Sequence, residues 1–158
     1  EIEWVREDMR RFVRPEAYDL VINMFTAFGY FDDKEDDLKV LRNIYTSLRK
    51  GGAFVIDTMG KEWLARHFVQ TSSEKLADGR IGVQTREIFD DWTRIRNEWI
   101  VIDGDTVTRF PFHHTVYSGQ ELKDRLHQVG FQDVRLFGDF DGSEYGLEAS
   151  RLVAAAWK

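Results

Sequence analysis

The apolar positions change their period several times along the chain. In "YDLVINMFTAFGYF", Tyr18 to Phe31, a near-continuous apolar run from Leu20 to Phe25 contains one amide, Asn23. A run that short, bounded by polar residues, predicts a strand buried on both faces. Asp32 and Asp33 can cap a helix running to about Arg49, with Leu38, Leu41, Ile44 or Tyr45, and Leu48 at helical spacing. Lys50 and Gly51 supply a stop. "AFVID", Ala53 to Asp57, predicts a second buried strand. Strand, helix and strand with short joints form a βαβ unit, so these two strands are expected parallel. Lys61 to Phe68 reads as a short helix, and Ile2 to Val5 as a short β-prone opening.

From Arg80 to Tyr117 the helical period disappears. Three stretches alternate in part, Ile81 to Phe89, Thr93 to Ile102 and Thr106 to Val116. Asp90-Asp91 and Asp103 to Asp105 are turn chemistry between them. Trp92, Trp99, Phe110 and Phe112 alternate with Arg86, Arg94, Arg96 and Arg109. The pattern predicts an inserted antiparallel meander, too long for a plain connection. Ser118 and Glu121 then stand at capping-box spacing before Leu122, Leu126 and Val129, and Gly130 closes that helix with Phe131 beyond it. "DVRLF" and "RLVAAAW" are the last two strands. Gly138 to Ser150 between them holds no helix pattern, and a parallel crossover needs one, so the pair is expected antiparallel.

Composition narrows the function classes. The 158 residues are 42% hydrophobic and 32% charged, enough for one domain with a proper core. A net charge of −6 weighs against a nucleic-acid surface. With no Cys there is neither a disulfide frame nor a cysteine metal site. No apolar run reaches the roughly 20 residues of a membrane span, and no signal peptide is visible. A cytoplasmic chain without a membrane partner is the expectation. The opening "EIEWVREDM" has no initiator Met and looks like a piece of something longer.

A parallel α/β sheet closing on an antiparallel hairpin resembles the class I S-adenosylmethionine-dependent methyltransferases, whose sheet order is 3-2-1-4-5-7-6. "YDLVINMFTAFGYF" is similar to that family's strand-4 segment, and "LRNIYTSLRKGGAFVID" to its helix D, GG turn and strand 5. "VYSGQELKDRLHQVGF" resembles the helix before strand 6. "GDFDG" with "SRLVAAAWK" resembles the ending of small-molecule methyltransferases with a β insert after strand 5. The resemblance implies a Rossmann-like, mostly parallel sheet. Residues 1–79 would carry strands 3 to 5, residues 80–117 the substrate-side insert, and residues 118–158 the last helix with strands 6 and 7. Ile2–Val5 would be strand 3. The family's glycine-rich loop and the acidic end of strand 2 have no counterpart here, so strands 1 and 2 are expected to be missing. "RKGGA" follows a helix and precedes a strand, the reverse of a phosphate cradle.

The same resemblance implies S-adenosyl-L-methionine as cofactor, a small-molecule acceptor, and site residues. Asp8 and Met9 match the loop after strand 3, which meets the adenine; Asp8 could equally cap the segment before Pro15. Asn23, Met24 and Phe25 match the cofactor side of strand 4, where Asn23 either bonds the ligand or ties the strand to its loop. Phe25 and Tyr30 would line the acceptor side, since aromatic faces stabilise a sulfonium by about 0.5–2 kcal/mol; Phe28 reads as core. His113 and His114 point to opposite faces, so one at most meets the cleft. His114 with Tyr30 is the expected catalytic pair, and Arg86 and His113 the expected acceptor contacts. Arg86 and Arg96 could also pair with Glu87, Glu98 or Asp103 on an outer face. No third ligand stands near the histidines, so no metal is expected. A homodimer stays open. The competing expectation is a methyltransferase-like module without catalysis, serving as a partner or scaffold.

Overall fold

The computed structural model describes residues 1–158. Its first sheet holds β1 (Tyr18–Asn23), β2 (Leu48–Thr58), β7 (Asp133–Phe137) and β8 (Leu152–Trp157), in the order β1-β2-β8-β7. β1 and β2 are parallel, with Val21 opposite Phe54 and Asn23 opposite Ile56. β8 runs antiparallel to both β2 and β7. This is the expected family order 4-5-7-6.

Helix α1 (Lys34–Ser47) starts where Asp33 accepts the Glu35 N–H at 2.9 Å. Its end differs from the expectation. Leu48 is the C-cap and already opens β2, because the backbone before Gly51 pairs with Tyr18. Helix α3 (Gly119–Val129) has the full Ser118/Glu121 capping box and ends on left-handed Gly130. Both helices lie on one face of the first sheet. There Phe54, Ile56, Ala154 and Ala156 pack with Leu41, Leu122, Leu126 and Phe131 into the main core. On the opposite face Leu20 and Ile22 remain 57% and 62% exposed.

The second sheet has four strands in chain order, β3 (Thr71–Lys75), β4 (Ile81–Phe89), β5 (Arg94–Asp103) and β6 (Thr106–Thr115). Three were expected. β3, "TSSEK", carries no apolar alternation and is exposed throughout; its backbone pairing with β4 alone makes it a strand. Helix α2 (Lys61–His67) lies ahead of it, and a small cluster of Leu64, Ile95 and Val116 seals helix and sheet together. Ile2–Val5 forms no strand and pairs with nothing. β-prone residues adopt a strand only beside a partner edge, and this segment pairs with no strand.

Candidate active site

Two features meet around the loop after β1. The first is the carboxyl end of β1 itself. Asn23 shares the helix-side face with Val21, and its Oδ1 is buried without a hydrogen-bond partner. The next residues turn sharply, with Phe25 and Thr26 both at φ +58°, a left-handed conformation that side chains disfavour. Asp57, at the end of β2, holds them there. Its Oδ2 accepts the Phe25 N–H at 2.8 Å and its carbonyl accepts the Thr26 N–H at 3.1 Å. The Phe25 ring is left 80% exposed.

Further along, Phe28 is buried against Tyr117 with ring centroids 5.9 Å apart. The Gly29 carbonyl accepts the Thr115 N–H at 2.8 Å, and a Cβ on Gly29 would stand 2.7 Å from the Thr115 carbonyl. Only glycine lets the loop dock on β6. Beneath it the Tyr117 hydroxyl donates to buried Asp37 at 2.5 Å. Burial pushes the Asp37 carboxyl up to about 6 and the Tyr117 phenol well above its ordinary range.

The second feature is a cavity of about 290 Å³ between α2 and the inner face of the second sheet. Trp63, Leu64 and Phe68 form its apolar wall, while His67, Arg86, Asn97 and His114 supply polar groups. His114 is 7% exposed, and neither ring nitrogen has a partner. Burial, helped by neighbouring His113, lowers it to about 4, so it is neutral near pH 7. The Tyr30 ring stacks on it at 5.0 Å. Arg86 is braced by the Val69 carbonyl at 3.2 Å, Ser72 Oγ at 3.1 Å and Gln84. A neutral imidazole and a braced guanidinium therefore line one cavity, and the Tyr30 phenol stacks on the imidazole.

No protein-family model matches the sequence. The glycine/sarcosine N-methyltransferase of Aphanothece halophytica is 25% identical over 139 residues, covering 86% of this chain and 51% of the relative. The chain spans about half the length of the curated relatives it matches. Among solved structures, the CcbJ methyltransferase from Streptomyces caelestis gives a TM-score of 0.84 at 17% identity, over 96% of this chain and 62% of that one. An S-adenosylmethionine-dependent methyltransferase from Clostridium acetobutylicum ATCC 824 gives 0.73 at 15% identity, over 97% and 63%. The fold is that of the S-adenosylmethionine-dependent methyltransferases.

Within this methyltransferase fold the sequence-derived candidates separate. Asn23 ends β1, Met24, Phe25 and Tyr30 lie on the loop that follows, and the Tyr30 ring stacks on His114, which lines the cavity with Arg86. His113 does not reach that cavity. It sits on the outer face, bonded to Asp32 at 2.9 Å. Arg96 and Arg109 are on that face too, paired with Glu87 at 2.6 Å and Glu98 at 2.8 Å. Asp8 is engaged by Arg10 at 2.6 Å, which holds its carboxyl down to about 2, and its carbonyl caps the turn leading to Phe12. The Met9 carbonyl accepts from Asn43 at 3.1 Å. The Asp8 carboxylate and the Met9 carbonyl are thus engaged by neighbouring residues. Sequence reasoning missed Asp57, Arg151, Asn97 and Asp37. Asp57 alone left a signal, an acidic residue ending the buried run "AFVID" at the mouth of the crevice.

Proposed function

We propose that this chain is part of a methyltransferase that uses S-adenosyl-L-methionine to methylate a small-molecule acceptor, with the acceptor in the cavity under Tyr30 and His114. The observation that carries the reading is Asn23 Oδ1, a buried acceptor without a donor at the carboxyl end of β1, where open α/β sheets bind ligands. Leaving such an atom unpaired costs about 1–3 kcal/mol, which a ligand N–H would recover. When bound, S-adenosylmethionine supplies a methyl group on a sulfonium sulfur. Asn23 and Met24 would hold the cofactor. The Phe25 and Tyr30 rings would exclude water and face positive charge. His114 accepts a hydrogen bond from the acceptor and orients it; at about 4 it is too weak a base to store a proton near pH 7. Arg86 suits an acceptor with an anionic group. The name of the curated relatives, glycine/sarcosine N-methyltransferase, agrees with a nitrogen acceptor of that kind. A cytoplasmic setting, no nucleic-acid partner and a homodimer belong to the same reading.

A second reading, a partner module without catalysis, is favoured by one observation: residues 1–158 contain no glycine-rich cofactor loop. Calorimetry with S-adenosylmethionine on the natural full-length protein and on residues 1–158 alone separates the two. Binding by the full-length protein with weak or no binding by residues 1–158 is expected. No binding by either leaves only the partner module.

A further inference from the structure

We infer that Asp57 and Arg151 are positioning residues, a clamp that holds the Phe25–Thr26 turn in its left-handed shape and so aims Asn23 and Phe25 at the ligand. This rests on the methyltransferase reading for its purpose, though not for its geometry. Asp57 is fully buried at the end of β2. Arg151 reaches it from the segment before β8 and grips both carboxylate oxygens, Nε on Oδ1 and Nη2 on Oδ2 at 2.8 Å. The Phe25 N–H shares Oδ2, also at 2.8 Å. One carboxylate therefore joins the turn after β1 to the last loop of the chain. Arg151 is itself fixed, its N–H bonded to the Gly138 carbonyl at 2.8 Å and its guanidinium 5.8 Å from the Phe140 ring centroid. Two consecutive non-glycine residues at φ +58° persist only where their surroundings over-determine them. Within this turn, the hydrogen bonds from the Phe25 and Thr26 amides to Asp57 are what does so.

The arrangement has a chemical consequence. A planar guanidinium on a carboxylate is a bidentate pair with fixed orientation. It sets the direction of Oδ2, and Oδ2 sets the Phe25 amide. Misplacing a ligand contact by about 1 Å can cost on the order of 100-fold in turnover. Loosening the clamp should therefore act on function through the turn, and glycine at the strained position should reverse it, since glycine takes φ > 0 without penalty.

The test is made on the natural full-length protein with Arg151→Gln, Asp57→Asn, and each combined with Thr26→Gly. Two readings are taken: hydrogen exchange at the Phe25 and Thr26 amides, and kcat and KM for methyl transfer. Arg151→Gln should speed exchange at those two amides about tenfold or more, with the β2 amides unchanged, and lower kcat at least tenfold. Thr26→Gly should restore most of the lost kcat. Slower turnover with unaltered exchange, or a fall in melting temperature that Thr26→Gly leaves uncorrected, would make the pair a plain packing element and overturn the inference. If the wild type transfers no methyl group, the functional reading fails by itself, and exchange still decides whether the clamp orders the turn.

Discussion

The two sheets of this chain solve different problems. In the first, the residues of β2 and β8 that face α1 and α3 are sealed, and the core is one continuous apolar cluster around Phe54, Leu122 and Phe131. In the second, the buried apolar cluster is only Leu64, Ile95 and Val116, and beside it Arg86, Asn97 and His114 line a cavity. Both ring nitrogens of buried His114 and the buried Oδ1 of Asn23 lack a partner, one residue at each end of the loop after β1. A protein that needed only to be stable would fill that space. The contrast places the larger sealed core in the first sheet, and under the proposed function recognition would fall to the second.

The largest effect should come from the first sheet. Phe54→Ala leaves a void in a fully packed core and should cost about 3–5 kcal/mol, whereas Ile95→Ala, in the small cluster, should cost nearer 2 kcal/mol. Urea unfolding measures both, and equal losses would erase the distinction between the sheets.

The pH dependence sharpens the comparison because the two buried groups have opposite signs. His114 is depressed from its usual 6.5 to about 4, so its contribution is present above 6.5 and lost as pH falls toward 4. Asp37 is raised from 3.8 to about 6, so its contribution is full below 3.8 and lost as pH rises through 6. Relative to wild type, Asp37→Asn should make stability fall more steeply on acidification from pH 7 to 4. His114→Gln should do the reverse. Unchanged slopes in both variants would show that neither burial matters.

Smaller still is Asn23→Ala. No hydrogen bond is lost in the free protein, so the melting temperature should hardly move, while S-adenosylmethionine binding by the full-length protein should weaken about tenfold, or ~1.4 kcal/mol. A drop in melting temperature with intact affinity would return Asn23 to packing. The smallest effect belongs to the outer face of the second sheet. Arg96→Ala breaks an exposed pair with Glu87 and should change stability by about 0.2–1 kcal/mol, with no effect on turnover.

The sequence by itself determined the βαβ unit, the antiparallel final hairpin, the Ser118 capping box and the glycine stop at 130, because each is written in a period or in neighbours a few residues apart. It also marked Asn23 as an amide out of place and limited the cleft to one of two adjacent histidines. The tertiary structure alone decided which: His114 faces the cavity because Ile95, its cross-strand partner, faces α2. It alone made "TSSEK" a strand, through a backbone ladder that no side-chain pattern announces. It left Ile2–Val5 unpaired and so without a strand. And it brought Arg151 onto Asp57 across 94 positions. Short-range patterns fix local conformation, but such a partnership exists only once β2 and β8 have paired, so no window of the sequence contains it.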